Sequence, residues 1–140
     1  MLTQTSDAPW RGQSVVLYDR CVSPDDPLLA DRLAQCRRYA AEQGCPVTAE
    51  RVDYGQAAKL DGRGESGWLD VAALRGQLRD AVGQCQEAGA WLLVWHPDRI
   101  SSYSACRRTA LDALGGRVLR MGRGLIEDGS FALAAGVAAP

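Results

Sequence analysis

A chain of 140 residues, 46% of them apolar, has the size of one domain and can bury roughly 68% of the surface its unfolded form exposes, enough to fold without metal or disulfide staples. Charged residues make up 24% but balance to a net −1, which excludes a wholesale basic coat for nucleic acid while leaving room for a local basic face. Five cysteines with no CxxC spacing and an odd count point to a reduced, cytoplasmic chain with small core cysteines, and no apolar run approaches the roughly 18 residues of a membrane span. Lys59 is the only lysine among 16 basic residues, so the excess of arginine is read as compositional and not as evidence of phosphate recognition.

In chain order, a polar N-terminal extension over 1–13 leads into Ser14 to Tyr18, an apolar β-branched run predicted as a buried strand. From Asp25 the spacing turns helical through Leu28, Leu29, Leu33, Cys36, Tyr39 and Ala40, until Gly44 offers a C-cap and Pro46 ends the run. Val47 to Val52 alternates as a second strand. Residues 53–67, rich in glycine and charge and without period, form a long connection of the kind that works or is disordered. Leu69 to Cys85 resumes helical spacing through Leu74, Leu78 and Val82. Ala90 to Trp95 is the most apolar run and is predicted as the central strand. Ser101 to Leu114 makes a third helix ended by Gly115 and Gly116, Arg117 to Met121 a last short strand, and 123–140 a short tail.

Strands alternating with helices predict an α/β, three-layer domain over 14–122, with a four- to five-stranded, mainly parallel sheet flanked by helices. Sites in such sheets gather at the carboxyl ends of the strands, which directs attention to the loops after Tyr18, Val52 and Trp95. The first holds Arg20, Cys21, Ser23, Asp25 and Asp26; one of Ser23, Asp25 and Asp26 is expected to cap the following helix, with Pro27 in its first turn. The loop after Trp95 holds His96, Asp98, Arg99, Ser101 and Ser102, with Asp98 and Arg99 expected to pair. His96 is the only histidine, which excludes a multi-histidine metal centre. GxSxG, the Walker loop and GxGxxG are absent, so neither the common serine-hydrolase nor the common nucleotide signatures apply, and no cofactor is expected.

LYDRCVSPDD followed by DRLAQCRRYAAEQG, PVTAERVDYG, LLVWHPDRISS and LGGRVLRMG, taken in this order from Ser14 to Gly122, resemble the catalytic domain of the serine recombinases, the resolvase and invertase family. In that family a serine hydroxyl attacks a DNA phosphodiester to form a phosphoserine link, and arginines carry the developing charge without metal. The chemistry suits the residues, because a planar, permanently charged guanidinium matches a pentacoordinate phosphate. By position the resemblance assigns Arg20 to the first motif and Asp98 with Arg99 to the Asp-Arg pair, sets Arg63 against the arginine of the family's mobile loop, and offers Ser23 as nucleophile.

Three departures qualify that assignment. Aligned without a gap from Tyr18 to Gly44, Val22 falls where the nucleophile belongs and Ser23 is one residue late; one residue moves a hydroxyl by about 3.3 to 3.8 Å, and about 1 Å of misplacement already costs about 100-fold in rate. His96 and Ser102 stand at arginine positions. After the last strand the sequence shows neither the family's long dimer helix nor its DNA-binding domain. The expectation is therefore a stand-alone resolvase-like domain lacking or weak in strand exchange, acting through protein or through phosphate and DNA. Its partners would be DNA or a recombinase-family protein, with a homodimer allowed and no membrane. The alternatives are an active recombinase module with Ser23 as nucleophile and a small nucleotide- or anion-binding α/β protein.

Overall fold

The computed structural model describes residues 8–55, 74, 76–101, 104–122 and 124–125. Alternation along the first strand, β1 (Val15–Cys21), sends Val15, Leu17 and Asp19 to one face and Val16, Tyr18 and Arg20 to the other. Each apolar set needs a cover, and the two faces receive different helices. Val15 and Leu17 pack with Cys36 and Ala40 of α1 (Pro27–Glu42), whereas Val16 and Tyr18 pack with Leu78, Ala81, Val82 and Cys85 of α2 (Gly76–Ala88) and with Cys106, Ala110 and Leu111 of α3 (Ser104–Ala113).

The sheet is completed by β2 (Val47–Tyr54), β3 (Trp91–Val94), β4 (Val118–Arg120) and β5 (Gly124–Leu125), in the spatial order β2-β1-β3-β4-β5. The first four strands are parallel, and β5 runs antiparallel to β4. The mainly parallel, three-layer α/β architecture expected from the sequence is the one observed, and the run around Leu92 is the central strand. All four residues of β3 are buried, as a parallel strand covered on both faces requires. The order places β2 and β3 on opposite sides of β1. A switch point therefore lies between β1 and β3, and sheets of this kind hold their ligands beside the carboxyl ends of the strands at such a point.

Element boundaries depart from the sequence reading where tertiary partners intervene. β1 continues past Tyr18 to Cys21 and β2 past Val52 to Tyr54, because the two strands stay in register through Arg20 with Asp53 and Cys21 with Tyr54. α2 starts at Gly76, not at Leu69; Leu74 is buried but lies before the helix, and residues 69–73 fall outside the described ones. The start is set by Asp53 of β2, whose carboxylate accepts from the N–H groups of Gln77 (3.0 Å) and Leu78 (3.1 Å), so a strand residue takes the place of a local cap. The same carboxylate accepts from the Tyr18 hydroxyl at 2.7 Å.

On α1 the stripe facing the sheet is Leu29, Arg32, Cys36 and Ala40, with Leu33 only half-buried, so an arginine occupies a core position that the sequence reading gave to leucine. Ahead of β1, Trp10 sets its ring edge-on to Trp91 at 6.2 Å and donates from Nε1 to Gln43 Oε1 at 2.9 Å, which ties residues before the sheet to the end of α1. Trp95, half-buried, donates from Nε1 to Gln35 at 3.1 Å on the same helix. All five cysteines are buried and unbridged, and burial pushes Cys36 and Cys85 up to about 12. Among the described residues no helix is long and apolar enough to cross a membrane.

Candidate functional site

The switch point is built outward from a buried carboxylate. Asp19, 1% exposed, lies on the α1 face of β1, where leucine or valine would serve packing better. Arg32, from the core stripe of α1, meets it with a two-pronged contact, Nε to Oδ2 at 2.8 Å and Nη2 to Oδ1 at 3.1 Å. This planar fork is the geometry in which an arginine can offset a carboxylate's loss of water. The Arg20 N–H donates to Asp19 Oδ1 at 2.6 Å, and Arg32 Nη2 reaches the Arg20 carbonyl at 3.3 Å. The end of β1 is thereby fixed by side chains as well as by its strand neighbours.

Arg99 approaches the same point from the turn after β3. After β3 the chain forms a 3-10 turn, Pro97–Arg99, with His96 as its N-cap: His96 Nδ1 accepts from the Asp98 N–H at 3.1 Å. The turn directs Arg99 across to β1, where Nη1 donates to the Arg20 carbonyl at 3.1 Å and stands 3.7 Å from Asp19 Oδ1. Its Nε donates to Asp98 Oδ1 at 3.1 Å. Burial pushes the Asp98 carboxyl up, but Arg99 and then His96 outweigh it and hold Asp98 below the usual carboxylate range. His96 is held below its ordinary value, first by burial and then by Arg120 of β4, against the pull of Asp98.

Of the residues assigned from the sequence, Asp98 and Arg99 meet here, and Arg20 joins them through its backbone N–H and carbonyl, its side chain leaving β1 on the face opposite Asp19. Ser23 belongs to the neighbouring turn between β1 and α1. Its hydroxyl accepts from the Asp25 N–H at 3.2 Å, and its carbonyl accepts from the Asp26 N–H and from Cys21 Sγ at 2.9 Å. Asp26, not Ser23, is the cap of α1, accepting from the Leu28 N–H at 2.9 Å, with Pro27 in the first turn. That N–H and then the Cys21 thiol lower the Asp26 carboxyl. The thiol, raised mainly by burial, also faces Asp26 Oδ2 at 3.4 Å, and this is the environment of an inert cysteine. Val22, immediately before Ser23, is 61% exposed. Arg63, Ser102 and most of the glycine-rich connection lie outside the described residues.

Asp19 and Arg32 were missed by the sequence reading. Their signals were present: a carboxylate on the inward phase of an otherwise apolar strand, and an arginine in line with Leu29, Cys36 and Ala40. Among the described residues no group of three or more histidines, cysteines or acidic side chains is arranged to hold a metal ion.

No protein-family profile and no curated protein matches the chain. Among solved structures, the crystal structure of the C-terminal catalytic domain of ISC1926 TnpA, an IS607-like serine recombinase, superposes with a TM-score of 0.56, covering 77% of this chain and 67% of that one at 16% identity. The fold is resolvase-like. At that identity the likeness extends to the fold, and the chemistry rests on the side chains. In this resolvase-like domain the carboxyl end of β1 gathers the guanidinium groups of Arg32, from a helix, and Arg99, from a turn, each already engaged by a carboxylate and by the Arg20 carbonyl.

Proposed function

We propose that this chain is a serine-recombinase-like domain that engages DNA phosphates at the carboxyl end of its sheet and carries out strand exchange weakly or not at all. The observation that carries the reading is the commitment of the Arg99 and Arg32 guanidinium groups. Arg99 gives Nε to Asp98 and Nη1 to the Arg20 carbonyl, while Arg32 gives Nε and Nη2 to Asp19. A phosphoryl-transfer site needs such donors aimed at the reacting phosphate and organised in advance, and here the buried pair is aimed at its own carboxylate. The Ser23 hydroxyl, an acceptor within its own turn, adds to this.

Binding survives that arrangement better than catalysis does. Asp98 is half-exposed, and an ion pair at a wet surface contributes only about 0 to 1 kcal/mol. A phosphate can therefore exchange with Asp98 on Arg99 at little cost, whereas the buried Asp19–Arg32 pair stays closed.

A nicked duplex that traps covalent intermediates tests the reading. No protein–DNA adduct should accumulate, while the same duplex should bind and lose affinity on Arg99→Ala. A covalent adduct that disappears with Ser23→Ala would overturn it in favour of an active module with Ser23 as nucleophile.

One observation favours a protein as a second kind of partner, and the resolvase-like fold makes a recombinase-family protein the first to try. Among the described residues the large apolar side chains left exposed are Val22, Leu28 and Tyr54, and all three lie at this end of the sheet, after β1, in the first turn of α1 and at the end of β2. Light scattering of the protein alone, and mixed with a resolvase-type catalytic domain, would detect such an association.

A further inference from the structure

His96 stands where one hydrogen bond has two mutually exclusive forms. Its Nδ1 is 3.1 Å from the Asp98 backbone N–H and 3.2 Å from Asp98 Oδ1. A neutral ring with Nδ1 unprotonated accepts from the N–H and faces the carboxylate lone pair to lone pair; a protonated ring gives up the N–H and gains the carboxylate. The carboxylate oxygen in question is the one Arg99 Nε holds at 3.1 Å. Asp98 Oδ1 therefore lies between two cationic donors, one permanent and one that appears only with a proton.

We propose that His96 sets the phosphate affinity of this site through its proton: neutral His96 leaves Asp98 on Arg99, and protonated His96 draws Asp98 to itself and turns Arg99 Nε toward an incoming phosphate. The inference rests on the phosphate-binding reading above and adds its regulation. The charged groups facing the ring are Asp98 and Arg99 of its own turn and Arg120 of β4, while Asp98 in turn feels Arg107 of α3. Trp95 flanks the ring, with centroids 6.3 Å apart. In the free protein burial and then Arg120, against the pull of Asp98, leave the imidazole less charged than an exposed histidine at a given pH, so the protonated form of the site gains weight toward the acid side. A bound phosphate adds negative charge beside the ring and favours its protonation, so by linkage acidification strengthens binding.

Fluorescence anisotropy of a labelled DNA duplex at constant ionic strength is the test, because a phosphodiester keeps one charge between about pH 5 and pH 8, the range in which an ordinary histidine changes its own. One added charge at the site is expected to tighten binding by about threefold to tenfold toward the acid end. His96→Gln should bind weakly with a flattened pH profile, and His96→Arg tightly with a flattened one. As this is the chain's only histidine, its NMR resonance reports the titration directly; it should move to higher pKa with DNA bound and to lower pKa in Asp98→Asn. DNA binding whose pH profile is the same in wild type and His96→Gln would overturn the role of His96 while leaving the phosphate reading intact. Absence of binding at every pH, in His96→Arg as in wild type, would overturn both.

Discussion

Replacing Arg32 by methionine removes a guanidinium from a core position while keeping most of the apolar stem. What it leaves behind is the Asp19 carboxylate, 1% exposed, with the Arg20 N–H at 2.6 Å and Arg99 Nη1 at 3.7 Å as its remaining partners among those described. The loss is two charge-assisted hydrogen bonds of 2.8 and 3.1 Å plus the 3.3 Å contact to the Arg20 carbonyl. Breaking a buried pair from one side costs about 3 to 5 kcal/mol, because the surviving charge has neither water nor its counter-ion. Against a domain stability of about 5 to 15 kcal/mol that is a large fraction, and it corresponds to a fall in Tm of about 10 to 17 °C. Urea unfolding of Arg32→Met, Asp19→Asn and the double variant, followed by tryptophan fluorescence, gives the coupling energy by a double-mutant cycle. The double variant should recover much of the loss, since removing both charges also removes the desolvation cost. If Arg32→Met loses less than about 1 kcal/mol, the pair is solvated in practice. The account of β1 and Arg99 as held by a buried ionic centre then fails.

Asp53→Ala removes the cap of α2 and the partner of Tyr18 together, and should cost about 2 to 4 kcal/mol in urea unfolding; Tyr18→Phe, which leaves the cap in place, should cost only about 1 kcal/mol. Cys36 and Cys85, raised by burial to about 12 from 9.0, should resist iodoacetamide at pH 8 until denaturant is added, as read by mass spectrometry. Their sign is fixed by the same shift: the unfolded thiols ionise first, the folded state then holds more protons, and stability should decline as pH climbs from 9.0 toward 12.

The layer architecture was legible in the sequence because it rests on periodicity. Val15 to Tyr18, with alternate residues facing opposite helices, and Trp91 to Val94, buried on both sides, announce strands of a covered parallel sheet, while Leu29, Cys36 and Ala40 announce the helix between them. Gly44 at φ 72° and the Asp26 cap with Pro27 mark the ends of α1, since each is a local backbone requirement that a particular residue type meets. The positions of Asp98 and Arg99 were legible for a related reason, as polar residues that follow an apolar strand and so fall at the carboxyl edge of the sheet, where Arg20 also lies near the end of β1.

Tertiary structure decided how those residues are spent. Whether a guanidinium faces a phosphate or a carboxylate depends on contacts between residues far apart in the chain: Arg32 with Asp19, Arg99 with Arg20, Asp53 with the start of α2. Helical spacing admits Arg32 or Leu33 to the core almost equally, and only the buried carboxylate across the interface selects the arginine. Likewise the sequence places a histidine after the central strand, but the 3-10 turn puts its Nδ1 against both the N–H and the carboxylate of Asp98. Local pattern is a property of neighbours in sequence and determines the elements; charge pairing is a property of neighbours in space and belongs to the fold.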